Sequence, residues 1–308
     1  MNVNSPVANT NLKMQRRHFL EYETKFSEWM IRLGYAETTT ESYTRQLSTF
    51  LNWLPSQQIE SLATVHQSDI EKFCEELHRK QNKLFGGALS SSYIQSHINV
   101  IRLLDKYLQL TGQGKILRGK IKVEKGIKKH RTILTQAEIK QLYEATDDSL
   151  LGYRDRAILA IYYGCGLRSS EGERIKINHL HYEKGLLQVL AGKSYKGRYV
   201  PLSAGVSKDI KEYQQYSRPY LIGENTERLI VGSFGKPMKG SSMGNRIKQL
   251  VEKAGIDKQI SLHGLRHSIA THLLQGGMPL EQISRFLGHN SLDSTQIYTR
   301  LAEELEHE

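Results

Sequence analysis

Cysteine is nearly absent from this chain, with only Cys74 and Cys165 in 308 residues. The two stand far apart with no Cys-x-x-Cys spacing, so they are read as a reduced, buried pair rather than as a disulfide or a metal site. Long apolar runs are missing as well. Nothing in the sequence is long and apolar enough to span a bilayer, and the opening MNVNSPVANTNLKMQRR lacks the apolar centre of a signal peptide. These absences predict a cytoplasmic protein with no membrane-spanning segment. Acidic residues are outnumbered, 32 Asp and Glu against 43 Lys and Arg, for a formal charge of +11. That balance favours a polyanionic partner: DNA, RNA or an acidic membrane surface. No acidic cluster points to Mg²⁺. His263 and His267 have i, i+4 spacing but lack the glutamate of a His-Glu-x-x-His zinc site. No metal and no other cofactor is expected. Internal repeats and low-complexity tracts are also lacking.

The length is enough for two ordinary domains. Residues 1–15 are polar and aperiodic and read as a flexible tail. Residues 16–111 carry four helical patterns. The first runs from Arg16 to Leu33 and stops at Gly34; the second, Thr38 to Leu54, sets Tyr43, Leu47, Phe50, Leu51 and Leu54 on one face. A capping box, Ser68 to Glu71, is expected to open the third, and Ser90 or Ser91 the fourth. Four helices with short joints make a compact all-α domain.

Residues 112–131 change character. They hold glycines, no helical face, and a single Glu124 against many Lys and Arg. They read as an inter-domain linker, and their one-signed charge suits a phosphate backbone. Lys120, Lys122, Lys125, Lys128 and Lys129 are the densest part.

Residues 132–308 form the second domain. Thr135-x-x-Glu138 is a capping box. A more apolar helix, Tyr153 to Tyr163, ends in Gly-Cys-Gly-Leu-Arg168-Ser-Ser-Glu171. Leu186–Leu190 and Arg198–Leu202 alternate like strands around a basic hairpin tip holding Lys193 and Lys196, and Leu229–Gly232 reads as one more short strand. Ser241 to Ala254 is helical. The last helical stretch places Leu262, Leu265, Ile269 and Leu273 on one face and His263, Arg266 and His267 on another. A short helix, Leu280 to Leu287, stops at Gly288. His289 follows at once, and Tyr298 stands nine residues later. Two histidines, an arginine and a tyrosine strung on short helices suit a site for a phosphodiester better than a core.

Arg168 in GLRSSE, Lys193 in a hairpin, His263-x-x-Arg266, Leu287-Gly288-His289 and Tyr298 occur in the order and approximate spacing of the tyrosine site-specific recombinase (phage integrase) family. From about residue 16 onward the chain resembles its short Xer-type and mobile-element members. The resemblance implies a mainly α fold with a small β-sheet: a helical, SAM-like core-binding domain, a linker and a mixed α/β catalytic domain. It implies strand cleavage through a 3′-phosphotyrosyl intermediate and exchange between two duplexes of double-stranded DNA. The assembly implied is a homo-tetramer, or a hetero-tetramer with a paralogue. Tyr298 becomes the nucleophile; Arg168 and Arg266 hold the non-bridging oxygens with paired N–H donors. Lys193 becomes the general acid for the departing 5′-oxygen, His263 the base toward Tyr298, His289 a transition-state contact, and Glu171 an orienter of a neighbouring cation. Gly172 departs from the family, which usually has a larger apolar residue there; Asn178 stands at a second departure. Two other readings stay open: a type IB topoisomerase-like enzyme, and a non-catalytic DNA-binding protein on the same fold.

Overall fold

The computed structural model describes residues 6–81, 86–119, 121, 132–192, 197–221 and 226–288, with side chains from Phe19 onward. The chain divides into two compact units, Met1–Lys129 and His130–Glu308. Both are built mainly from helices, and each has its own apolar core.

The N-terminal unit contains α1 (Pro6–Arg32), α2 (Glu37–Trp53), α3 (Gln67–Arg79) and α4 (Ser91–Leu110). Helix α1 begins within the stretch read as tail; proline, with its fixed φ and missing N–H, suits a first helical turn. The third helix starts one residue ahead of its expected cap. Asp69, not Glu71, closes the turn by accepting the N–H of His66 at 2.8 Å, so Ser68 lies inside the helix. Ser90 caps α4 as its position predicts, accepting the N–H of Tyr93. Phe26, Met30, Leu47, Phe50, Ile98 and Leu104 are fully buried between the helices. Past α4, Ile116, Leu117 and Ile121 join this core. The buried Asp105 carboxylate ties them down, accepting the N–H groups of Ile116 and Leu117 at 2.8 and 2.9 Å. The first part of the segment read as linker is thus packed chain. Lys120, Lys122, Lys125, Lys128 and Lys129 lie outside the described residues.

The C-terminal unit opens with α5 (Gln136–Glu144), closed by the reciprocal Thr135 and Glu138 bonds of the expected capping box. Helix α6 (Leu150–Leu159) is central, and residues 157–162 are all fully buried. Next come α7 (Ser169–Arg174), β1 (Leu180–His181), β2 (Leu186–Val189) and β3 (Arg198–Pro201). The three strands form one antiparallel sheet in the order β1-β2-β3, with Leu187 opposite Val200 and Val189 opposite Arg198. Leu229–Gly232 is not a strand. It makes a single isolated bridge, Val231 with Pro237, because the chain folds back at once, with the Gly232 N–H on the Lys236 carbonyl. Helices α8 (Ala204–Tyr216), α9 (Arg218–Leu221), α10 (Gly240–Lys253), α11 (Leu262–Gln275) and α12 (Leu280–Leu287) complete the described part. No helix among the described residues is long and apolar enough to cross a membrane.

Helix α11 differs from its sequence pattern. The pattern sets an apolar face against a polar one, but Arg266, His267, Thr271 and His272 are buried along with Leu262 and Leu265, and only His263 near the start and Gln275 at the end are exposed. The helix runs through the unit, and its polar residues are held by partners inside.

Candidate active site

The site is built where α6 ends. The helix widens into a π turn over Ala160–Gly164, with the Cys165 N–H reaching back to the Ala160 carbonyl. Such single π turns are rare and occur frequently at functional sites. Leu167 drops into the core, and Arg168 is left at the N-cap of α7 in extended conformation. Glu171 then falls one turn on, under Arg168. Its Oε2 accepts the backbone N–H of Arg168 at 2.9 Å, and its Oε1 accepts Nη1 at 2.7 Å.

Glu171 is the hub of an ion network. Arg198, the first residue of β3, donates Nη1 to Oε1 at 2.9 Å and Nη2 to Oε2 at 3.0 Å. Arg266 Nη1 lies 3.8 Å from Oε2. The Glu171 side chain is fully buried. Burial alone would raise its pKa, but the hydrogen bonds and charge of Arg198, with the bonds from Arg168, outweigh it and hold the carboxyl at about 2. Three guanidiniums surround this one carboxylate, so these four side chains together carry net positive charge. Such an excess suits an incoming phosphate diester.

The same three arginines converge on the end of α12. Arg198 Nε donates to the Phe286 carbonyl at 2.9 Å, Arg266 Nη2 to Leu287 at 2.8 Å, and Arg168 Nη2 to Gly288 at 2.8 Å. The last carbonyls of a helix lack intrahelical partners and carry partial negative charge, so guanidiniums are natural caps for them. Gly288 is required here twice over: its φ is +66°, and a Cβ would stand 2.9 Å from Arg198. Arg266 also donates Nη1 to the Gly166 carbonyl at 2.7 Å, joining α11 to the turn before Arg168. Residues more than a hundred positions apart in sequence are therefore locked around the turn that leads to His289.

The described residues place Arg168, Glu171 and Arg266 together, with His263 one helical turn before His267 on α11. The His263 and His267 rings meet edge to face, 4.3 Å between centroids. They line a cavity of about 450 Å³ with Thr132, Lys248 and Ser261. Lys193, His289 and Tyr298 lie outside the described residues. Two tyrosines near Arg168 have structural work. Tyr162 is fully buried, donates to the Ser169 carbonyl at 3.0 Å, and is pushed well above the usual phenol range by burial. Tyr163 bonds His272 Nδ1 at 2.9 Å. The Tyr162 ring also accounts for Gly172: a Cβ there would stand 2.5 Å from the ring. The bulk that the family usually places at this position is supplied by the neighbouring helix. Arg198 is the site residue that sequence reasoning missed, where its only signal was a basic residue opening a strand directly after a basic hairpin tip.

The model of the phage integrase family matches residues 132–304, and that of the phage integrase N-terminal SAM-like domain matches residues 26–110. The chain belongs to the phage integrase family. It is 32% identical to tyrosine recombinase XerD of Lacticaseibacillus casei over 280 residues, covering 89% of this chain and 91% of the relative. It is also 32% identical to XerD of Oceanobacillus iheyensis, covering 92% and 95%. Among solved structures, XerH bound to palindromic difH substrate in a post-cleavage complex aligns with a TM-score of 0.67 at 22% identity, covering 87% of this chain and 78% of that one. The Tn1549 transposon integrase with circular intermediate DNA aligns at 0.69 and 18%, covering 93% and 99%. These two similarities speak for the fold. This tyrosine recombinase is a site-specific recombination enzyme acting on DNA.

Proposed function

We propose that the protein cuts and rejoins two duplexes with Tyr298 as nucleophile and Arg168 and Arg266 as the clamp on the scissile phosphate. The observation that carries this reading is the convergence of those two arginines, from separate helices, on one buried carboxylate and on the two carbonyls directly before His289. In the proposed step the Tyr298 oxygen attacks phosphorus and the P–O bond to the 5′-oxygen breaks. His263 takes the phenolic proton, and Lys193 gives one to the departing 5′-oxygen. A phenol has a pKa of about 10, so the positive field of the arginines and a nearby base are both needed. One phosphoester replaces another, so a 5′-hydroxyl of the partner strand can reverse the step without ATP. His289 and the arginines stabilise the charge that builds on the non-bridging oxygens. The protein works in the cytoplasm, as a tetramer on two sites of double-stranded DNA, with either four copies of this chain or two kinds of chain. The N-terminal unit and the lysines of 120–129 grip the backbone, while the C-terminal unit, residues 132–308, performs the chemistry.

A nicked suicide substrate tests this. Loss of the short 5′-hydroxyl strand should trap a protein–DNA adduct that survives denaturation, and recombinant product should form between two sites. An adduct without recombinants favours a topoisomerase-like enzyme; no adduct favours a DNA-binding protein.

A further inference from the structure

We propose that Arg198 is a positioning residue for strand cleavage, setting Arg168 through Glu171 and fixing the turn before His289 through Phe286 and Gly288. The inference rests on the site assignment above. Arg198 joins two parts of that site, the Glu171 carboxylate and the end of α12. Its two Nη groups pair with both oxygens of Glu171, its Nε holds the Phe286 carbonyl, and its side chain fills the space beside Gly288. It also opens β3, which leaves the hairpin that carries Lys193, and it pairs with Val189 on β2. Its side chain is 8% exposed, against 27% for Arg168. Arg168 can meet a phosphate from the site surface, whereas Arg198 acts from beneath.

The physical consequence follows from the Glu171 carboxylate. Glu171 is fully buried and ionised because the Arg168 and Arg198 guanidiniums hydrogen-bond it, both at Oε1 and Arg198 also at Oε2. Without Arg198, a buried carboxylate keeps one full partner and has two routes to relief. It can draw the Arg168 guanidinium deeper, away from the phosphate, or it can take up a proton. Either route moves Arg168, and the Phe286 carbonyl also loses its donor, so the Gly288 turn loosens. Misplacement of a clamp group by about 1 Å can cost about 100-fold in rate. DNA affinity, spread over many phosphates, should hardly change.

The test is single-turnover cleavage of a suicide substrate at saturating full-length protein, with affinity and thermal melting recorded alongside. Wild type is measured first; failure to form an adduct would sink the assignment of function and not this inference. Given adduct formation, Arg198→Met should cleave about 100-fold more slowly on bound DNA. Arg198→Lys should fall between, since an ammonium keeps charge but loses the paired planar contact. The rate of the Met variant should also drop at higher pH than that of wild type as the medium is acidified, because Glu171 protonates more readily. Finally, Arg198→Met combined with Glu171→Gln should be no slower than the worse single variant, since both break one link. Wild-type rate in the Met variant overturns the proposal, as do fully additive losses in the double variant. Should the Met variant melt below the assay temperature, the Lys variant decides: slowed cleavage supports positioning and wild-type cleavage overturns it.

Discussion

The two units differ in what they bury. The N-terminal core is aromatic and aliphatic, and Asp105 is the one buried carboxylate among its described residues, spent on two backbone N–H groups. The C-terminal unit buries Arg154, Asp155, Glu171, Arg218 and Arg266. Buried ions are costly unless paired, and a pair is often no more stable than well-packed apolar residues of the same volume. Burial of an arginine is still not proof of a site. Arg218 caps the carbonyls of Thr226, Arg228 and Leu229, all in one loop, while Arg266 spans Gly166 and Leu287 from different elements. Sharing a carboxylate is not enough either, since Arg154 and Arg246 share Asp155; what marks the candidate site is three guanidiniums from separate segments that meet at one carboxylate and also cap the end of one helix.

The sharpest division between the units would come from Tyr298→Phe. Loss of one oxygen removes the proposed nucleophile and no positive charge, so adduct formation should disappear while DNA affinity stays near wild type. An adduct formed by the Phe variant would move the nucleophile to another tyrosine. Next in size, Arg168→Ala should slow cleavage of bound DNA about 10²- to 10³-fold, the usual effect of removing one donor from a developing oxyanion. Arg218→Ala is the control within the same unit. It should lower thermal stability but leave the rate on bound DNA near wild type. If both variants lose rate equally, the distinction between site and scaffold arginines fails.

A smaller effect tests the packing behind the site. Gly172→Ala puts a methyl against the buried Tyr162 ring, and overpacking of this kind costs about 1–3 kcal/mol. Denaturant melting should show the loss, and Tyr162→Leu in the same chain should recover part of it. A Gly172→Ala protein as stable as wild type would mean that the ring can give way.

Much of the fold was legible because its signals are local. Thr135 with Glu138, Ser90, and the Gly288 stop each act through bonds three or four residues away, so spacing alone reveals them. The N-terminus of α3 was misplaced because Asp69 and Glu71 compete for one role, and only the chain's entry at His66 decides between them. The buried polar side of α11 was hidden for another reason: amphipathic pattern assumes that polar residues seek water, and Arg266 instead finds carbonyls from two other elements. Arg198 was invisible for the same reason, since its partners lie 27 and 88 positions away. Arg168, Glu171 and Arg266 were legible through the ordered motif of the family, not through any property of the residues taken singly.

The smallest expected effect concerns the basic segment at residues 120–129. Ile116, Leu117 and Ile121 belong to the N-terminal core, and the five lysines stand in the sequence between positions 120 and 129. Replacing Lys120, Lys122, Lys125, Lys128 and Lys129 by Gln keeps length and polarity and removes only charge. Each phosphate contact released from a duplex makes the slope of log affinity against log salt shallower by about 0.9. Binding across a salt series should therefore show a weaker salt dependence for the five-fold variant, with the largest loss of affinity at low salt. Single-turnover cleavage at saturating protein should stay near wild type, because none of the five belongs to the proposed catalytic set. An unchanged slope would make the segment a solvated connector and leave backbone binding to the two units themselves. A shallower slope with slowed chemistry would be more informative still: charge outside both cores would then help to seat the scissile phosphate on Arg168 and Arg266, and the division between a binding unit and a chemical unit would no longer hold.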